Sequence, residues 1–247
     1  MIKLFRKTRQ KLLTEHKFSK YFLYVIGEIV LVVIGILIAL QLNLMNENTK
    51  LDQVRQGYYH QLLDNLNKDK IYIKKTISLL DSMRFNYKTY LETFKQPNLS
   101  PDQAIRNQFD LIPISTVISF NTSTIESLEN TGDIKIIPPF IRNKLADLKQ
   151  LQYRTIKASD TNDNAKNDLF VILGAEFGSS SLRGRLNNQP QLKGFLQTEN
   201  KADKLFIIME AAYEWKEVSE RQTLASLKTI LTYNEALVKL INVELKK

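Results

Sequence analysis

An apolar run of twenty residues, YFLYVIGEIVLVVIGILIAL at positions 21–40, constrains this chain more than any other feature. Glu28 is its only charged residue. An α-helix rises about 1.5 Å per residue, so a run of this length spans the hydrocarbon core of a bilayer, which is about 30 Å thick. The sequence therefore predicts a transmembrane helix, placed at residues 21–42, with residues 43–247 forming the domain that follows it.

Positive charge gathers before the apolar run. Seven lysines or arginines and one acid account for about +6 of the formal net charge of +9. The cations are Lys3, Arg6, Lys7, Arg9, Lys11, Lys17 and Lys20. Short basic flanks stay in the cytoplasm, so this asymmetry predicts a cytoplasmic N-terminus and an exported C-terminal domain. The small charge left for residues 43–247 argues against a nucleic-acid partner.

Residues 1–20 allow two interpretations. Their apolar residues fall at roughly helical spacing among the cations, which predicts a basic amphipathic segment on the membrane surface. A flank that only fixes topology explains the same charges. The apolar run is too long for a signal peptide, and no small residue stands two positions before Ala39 or Leu40, so we expect an uncleaved signal anchor. The chain has no cysteine, which excludes disulfides and thiol catalysis.

A stripe of four residues follows one face of the predicted membrane helix. Its members are Glu28, Val32, Gly35 and Ala39. Their offsets of 4, 7 and 11 from the first member return to the same helical face. We interpret the stripe as a helix interface, because Gly35 and Ala39 permit close approach and an intramembrane carboxyl group favours a protein neighbour. Two alternatives stay open: Glu28 reaches Lys20 or the lipid headgroups, or it couples protons with a channel-forming partner.

Glycine and proline punctuation predicts the architecture after the membrane. Neither residue occurs in 58–96 or 195–247, so both stretches are expected to form long helices. In each, apolar residues alternate spacings of three and four, the pattern of a bundle seam. The first seam is Ile73, Ile77, Leu80, Arg84, Tyr87, Leu91 and Phe94, and the second is Leu224, Leu227, Leu231, Asn234, Val238, Ile241 and Leu245. We expect the polar member of each seam to set its register.

Shorter elements are predicted between the two long helices. Ser100 is expected to cap a helix, and Ser123 or Thr124 precedes another that Gly132 would end. Residues 111–120, rich in β-branched side chains, are expected to be extended or a loop.

A further helix is predicted to open at Pro138 and Pro139. Its inward-facing residues are Ile141, Leu145 and Leu148. Residues 174–194 are expected to form a hairpin tip between helices. The predicted fold is therefore all-α, with one N-terminal transmembrane helix followed by an antiparallel bundle whose long first and last helices pack together.

No motif specifies a catalytic, metal or cofactor site. Residues 160–165 begin like a calcium loop, but Ala165 stands where glycine is required, so a solvated helix cap is the preferred interpretation. The two histidines, His16 and His60, fall on opposite sides of the predicted membrane, which precludes a zinc site or a His-based catalytic pair within one chain. We expect no catalytic residue, no metal ligand and no cofactor.

Two sets of side chains on the predicted long helices invite a functional interpretation. One is an aromatic set that would line a ligand groove, although aromatic residues at helical spacing more often form core. Its members are Tyr58, Tyr59, Tyr213 and Trp215. The other is the carboxylate pair Glu214 and Glu217, which we expect on a solvated face.

The basic start MIKLFRKTRQKLLTEHKFSKY, residues 1–21, is followed after two residues by YVIGEIVLVVIGILIALQLN, residues 24–43. This juxtaposition resembles the N-terminus of an uncharacterised, domain-of-unknown-function family of single-pass inner-membrane proteins from Bacteroidota. The similarity continues loosely in FNTSTIESLENTGDIKII, residues 120–137. The resemblance implies an anchor in the bacterial inner membrane and a periplasmic helical domain, and it carries over no catalytic residues.

Taken together, these features favour a non-enzymatic, membrane-anchored periplasmic scaffold or accessory subunit that acts through helix–helix and bundle contacts. The expected partners are the membrane and either a second copy of the chain, giving a homo-oligomer, or another inner-membrane protein. Two alternatives are a periplasmic ligand-binding sensor domain that signals through a partner, and a proton-coupled subunit that uses Glu28.

Overall fold

The computed structural model describes residues 18–179, 181–196 and 202–246. In these residues the chain forms seven α-helices and no strand, which confirms the all-α prediction. The helices are α1 Phe18–Thr93, α2 Pro101–Phe109, α3 Ser123–Thr131, α4 Pro139–Phe177, α5 Leu182–Leu186, α6 Pro190–Leu196 and α7 Ala202–Glu244. A single 3₁₀ turn, Asp133–Ile136, precedes α4.

The chain divides into two units, Met1–Gly57 and Tyr58–Lys247, and α1 contributes to both. In the first unit, α1 contains a stretch that begins at Val25 and is long and apolar enough to cross a membrane. None of that stretch is buried in the protein. It matches the predicted transmembrane helix by length and composition.

In the second unit, α1 and α7 pack side by side in opposite directions. Near the start of this part of α1, the Leu66 carbonyl accepts a hydrogen bond of 2.8 Å from the Asn234 amide. Further along, Arg84 pairs with Glu217 at 3.0 Å. Residue numbers rise on α1 as they fall on α7, so the predicted antiparallel pairing of the long helices is confirmed.

The helix α4 completes the packing as a third long helix, antiparallel to α7. Asn162 donates a 3.0 Å hydrogen bond to Gln222, and Glu176 pairs with Lys204 at 2.8 Å. The predicted start of this helix is correct: α4 begins at Pro139. Its inward residues Ile141, Leu145 and Leu148 are each no more than 1 % exposed.

The apolar interior of the bundle consists of two clusters. The first cluster is built on Tyr59, Leu62, Leu66, Ile73 and Leu80 of α1, with Ile141, Leu145 and Leu148 of α4 and Leu224, Leu227, Ile230, Leu237 and Ile241 of α7. The second cluster contains Tyr87, Tyr90, Leu111, Leu173, Leu205, Met209 and Tyr213. Burial of this much apolar surface is the main force that holds the helices together.

The buried seam of α1 alternates spacings of three and four from Tyr59 to Leu80, and it includes the predicted members Ile73, Leu80 and Tyr87. Its buried members are Tyr59, Leu62, Leu66, Asp69, Ile73, Thr76, Leu80, Tyr87 and Tyr90. Leu91 and Phe94, which we predicted to be in the seam, are exposed. The prediction was wrong at alternate positions, because the neighbouring residues Thr76 and Tyr90 are buried in place of Ile77 and Leu91, and a search for apolar spacing passes over a polar residue such as Thr76.

The shorter elements agree closely with expectation. Ser100 caps α2, since its hydroxyl accepts a 3.2 Å hydrogen bond from the Gln103 N–H. Gly132 ends α3 with a φ of 77°, a left-handed conformation that favours glycine. The cap of α3 is Thr122 rather than Ser123 or Thr124.

Two details of the region after α3 refine the prediction. Residues 160–165 lie inside α4, so their interpretation as a helix cap is wrong. The stretch 174–194 connects α4 to α7 through the short helices α5 and α6, as expected of a hairpin tip.

Two adjacent leucines of α1 test the observed register. Leu80 is 1 % exposed and Leu79 is 44 % exposed. We expect Leu80→Ala to lower the free energy of unfolding by about 2–5 kcal/mol, because it leaves a cavity in the first cluster. Leu79→Ala should change it by less than about 0.5 kcal/mol. Denaturant unfolding of the full-length protein in detergent, followed by circular dichroism, measures both, and equal losses would contradict the register.

Candidate functional site

The predicted membrane stripe lies on the part of α1 that belongs to the first unit. Glu28, Val32, Gly35 and Ala39 are all exposed. A side chain added at Gly35 would meet no atom within 4 Å, so this surface is open to a neighbouring helix. Among the predicted membrane-surface cations, Lys20 lies in α1. The others, Lys3, Arg6, Lys7, Arg9, Lys11 and Lys17, lie outside the described residues, as does His16.

The carboxylates predicted on a solvated face of α7 instead bind groups of α1. Glu217 pairs with Arg84, and Glu214 accepts a 3.0 Å hydrogen bond from the Tyr87 hydroxyl. Glu214 is exposed, as predicted, whereas the prediction of a solvated face is wrong for the half-buried Glu217, because the 3.6-residue repeat places this carboxylate beside the seam, within reach of Arg84 on α1. The polar residue that we expected to set the α1 register, Arg84, is thus joined to α7.

A second ion pair lies deeper in the bundle. Lys216 and Glu220, one turn apart on α7, are both buried and bonded to each other. Burial raises the pKa of the Glu220 carboxyl, while the bond to Lys216 opposes that rise. A buried pair of this kind contributes little net stability while intact, but removing one partner leaves the other charge uncompensated.

Tyrosine hydroxyls provide the other polar contacts of the second cluster. Tyr90 donates a 2.5 Å hydrogen bond to Glu210, and Tyr213 donates one of 3.1 Å to the Leu111 carbonyl. Burial raises the pKa of Tyr213 to about 12. It also raises the pKa of Tyr87 and of Tyr90, with a further rise from the adjacent glutamates.

The predicted aromatic groove does not form. Tyr59 belongs to the first cluster and Tyr213 to the second. Tyr58 donates a 2.7 Å hydrogen bond to Asp133, and Trp215 is 43 % exposed. The four aromatic side chains therefore serve separate parts of the bundle, and the groove interpretation is wrong.

The stretch 111–120, predicted to be extended or a loop, is confirmed as non-helical and belongs to the connection between α2 and α3, residues 111–122, which we call the extended segment. From 112 to 122 it has no helix, turn or bend. It starts at Leu111 in the second cluster beside Tyr87, and near its end Asn121 bonds to Asp69. Eighteen helical residues separate the two α1 positions by about 27 Å, and ten residues reach that far only with a largely extended backbone, which advances about 3.3 Å per residue.

Asp69 fastens the far end of the extended segment. Its carboxylate accepts hydrogen bonds from the Asn121 N–H at 2.9 Å and from the Asn121 side chain at 2.6 Å. A third comes from Gln152 of α4 at 3.2 Å. Burial raises the pKa of Asp69 against the effect of these donors. One buried carboxylate thereby joins α1, α4 and the extended segment.

Lys166 of α4 fastens the middle of the extended segment. Lys166 is 3 % exposed, and its ammonium donates to the Pro113 carbonyl at 3.1 Å and to the Ser115 hydroxyl. Ser115 in turn donates to Asp163 at 2.7 Å. Burial lowers the pKa of Lys166, while the charge of Asp163 opposes that shift.

This cluster pairs a hydroxyl with an amine, an arrangement that sequence analysis did not find. A nucleophilic serine needs a neighbouring base with a free lone pair. Here the lysine acts as a donor to two oxygens, and the Ser115 proton is directed to Asp163. The arrangement is that of a clamp that holds the segment against α4.

An open concavity of about 730 Å³ lies between the extended segment and α4. The segment contributes Pro113, Ile114, Ser115 and Val117, and α4 contributes Asp160, Asp163, Asn164, Lys166, Asn167 and Phe170. Its walls therefore combine apolar side chains with carboxylates and amides. We regard this concavity and the edge of the extended segment beside it as the candidate site of the bundle.

Sequence reasoning missed the residues that build this site. Lys166 lies 51 positions from Ser115, and Asp69 lies 52 from Asn121, so no local motif links them. The one available signal was the polar pair Asp69 and Thr76 at seam positions, where apolar residues are the rule.

In residues 18–179, 181–196 and 202–246, no group of three or more histidine, aspartate or glutamate side chains is placed to hold a metal ion. Comparison with known protein families, with curated proteins and with solved structures finds no match. The resemblance of the N-terminal fifty residues to an uncharacterised Bacteroidota family stays a prediction.

The buried tyrosines predict a loss of stability in base. Unfolded tyrosine ionises near pH 10, whereas Tyr90 and Tyr213 keep their protons to higher pH in the folded state. Stability should therefore fall as the pH rises from about 10 to about 12, because only the unfolded chain releases these protons. We expect melting temperatures of Tyr90→Phe to fall less steeply over this range. The melting temperature of Tyr153→Phe, a substitution at an exposed position, should fall as that of the wild type does. Identical slopes of melting temperature against pH for the wild type and both variants would contradict the argument.

Proposed function

We propose that this protein is a non-enzymatic scaffold or accessory subunit of the bacterial inner membrane. Its N-terminus is cytoplasmic, α1 is the anchor, and residues 43–247 form a periplasmic bundle. The observation that carries this proposal is the exposure of the apolar stretch of α1, none of which is covered by the protein itself. In a bilayer, lipid or another helix must cover it.

The stripe on α1 supports a partner rather than lipid alone. Glu28 is an ionisable group within an otherwise apolar surface, and such a group in hydrocarbon is costly unless another helix or water meets it. Gly35 leaves space on the same face. A second copy of the chain, or another membrane protein, is the occupant that fits both features.

The bundle supports a structural role. Its buried or half-buried charges are engaged with one another: Arg84 with Glu217, and Lys216 with Glu220. Lys166 is held by the extended segment. Each of these groups joins two parts of the bundle or satisfies a buried charge, which favours a rigid scaffold over a catalytic centre.

The stripe is tested by enlarging it. We expect Glu28→Leu combined with Gly35→Leu to shift the native complexes to smaller size on blue-native gels of solubilised membranes. Leucine at position 35 keeps the helices apart, and the Glu28 contact is lost. Val33→Leu is the control, because it adds bulk about 160° around the helix from Gly35. If the complexes of the double variant keep the size of the wild-type complexes, the stripe is not the interface that holds them together.

The topology is tested with single cysteines, since the chain has none of its own. Ser78→Cys lies on an exposed position of α1 in the bundle, and Thr8→Cys precedes the membrane helix. In spheroplasts, a membrane-impermeant maleimide should label the first and spare the second. The reverse pattern would place the bundle in the cytoplasm.

A further inference from the structure

In the described residues, the main chain of the extended segment forms hydrogen bonds with side chains of the long helices along one edge only, although Ile112 and Thr116 also lie against residues of those helices. In an extended strand, the N–H and C=O of one residue point to one edge and those of the next residue to the other. The residues whose main-chain groups bond to side chains of the long helices are Leu111, Pro113, Val117, Ser119 and Asn121. All have odd numbers, so a single edge is fastened.

The even-numbered residues form the opposite edge. Ile112, Ile114 and Thr116 have no hydrogen-bond partner for their N–H or C=O groups in the described parts of the chain. Ile118, also on this edge, is buried and closes it at one end. The free edge therefore runs over residues 112–116, and it has the donors and acceptors of an unpaired sheet edge.

The surroundings of this edge are apolar and carry one unpaired acid. Ile114 and Val117 are 72 % and 84 % exposed, so both offer apolar surface beside the edge. Asp160 lies on the concavity wall and forms no ion pair with the described residues, whereas the Lys166 ammonium is occupied by Pro113 and Ser115.

We propose that residues 112–116 form a docking edge for an extended peptide segment of a partner protein. The peptide adds as a strand, packs apolar side chains on Ile114 and Val117, and places a lysine or arginine against Asp160. This inference deepens the scaffold role, on which it rests, by naming the kind of partner segment that the bundle binds. A polypeptide main chain is the ligand that repeats donors and acceptors every second residue, about 6.6 Å apart.

The edge is already ordered before anything binds. Asp69 and Lys166 fix the segment at its end and its middle, and both residues belong to long helices. Binding therefore costs conformational entropy mainly on the side of the incoming peptide. A free loop of the same sequence would lack this advantage.

Selection from a phage-displayed library of random dodecapeptides, on the full-length protein in detergent, tests the proposal. We expect the enriched peptides to alternate apolar residues and to contain lysine or arginine. Ile114→Pro removes an N–H of the free edge and should weaken their binding about tenfold. Ile114→Ala keeps that N–H and should weaken binding by less, and Val171→Ala, at an exposed apolar position outside the concavity, should leave it unchanged. Asp160→Asn should weaken binding of the cationic peptides only.

Hydrogen exchange on the wild-type protein provides a readout that requires no variant to fold. With a selected synthetic peptide bound, the amides of Ile112, Ile114 and Thr116 should exchange more slowly, and that of Val117 should not. The proposal is overturned if no peptide is enriched, or if the peptides bind Ile114→Pro as tightly as the wild type. It is also overturned if binding leaves the three amides unprotected, which would place the bound peptide away from this edge. The blue-native experiment concerns the membrane stripe alone, so the two proposals fail separately.

Discussion

The antiparallel contact between α1 and α7 is the interaction on which the bundle depends. Its seam buries a side chain at every third or fourth residue of α1 from Tyr59 to Leu80, and again at Tyr87 and Tyr90. The helix α4 packs on the same seam and closes the first cluster. Because the apolar side chains lie at helical spacing on all three helices, the packing follows from the periodicity of the sequence itself.

A fourth element packs against the three long helices. In an ordinary bundle this element would be a helix, but here it is the extended segment. An extended chain advances about 3.3 Å per residue against about 1.5 Å for a helix. The extended segment therefore crosses the bundle in half the residues that a helix would need. An extended chain has no helical hydrogen bonds of its own, so its main-chain groups need other partners. Buried polar side chains such as Asp69 and Lys166 bond to the main-chain groups along one edge of the segment.

The two proposed binding surfaces have a common physical origin. At both the stripe on the membrane helix and the free edge of the extended segment, groups that require a partner find none within the described chain. The first is an acid and a small residue in an apolar surface, and the second is a row of unpaired donors and acceptors beside Ile114. Elsewhere in the described bundle, Arg84 and Lys216 are paired with acids of α7. A scaffold that binds through two such surfaces needs no reactive centre.

The sequence by itself determined the membrane candidate helix, the long first and last helices of the bundle, the start of α4 and the caps at Ser100 and Gly132, because these depend on composition, periodicity and local backbone preference. It also led to the correct inward residues of α4. The register of the α1 seam, the partners of Glu214 and Glu217, and the path of the extended segment were decided only by the tertiary structure. Each depends on polar groups more than fifty residues apart, such as Asp69 with Asn121, whose burial together no local pattern records.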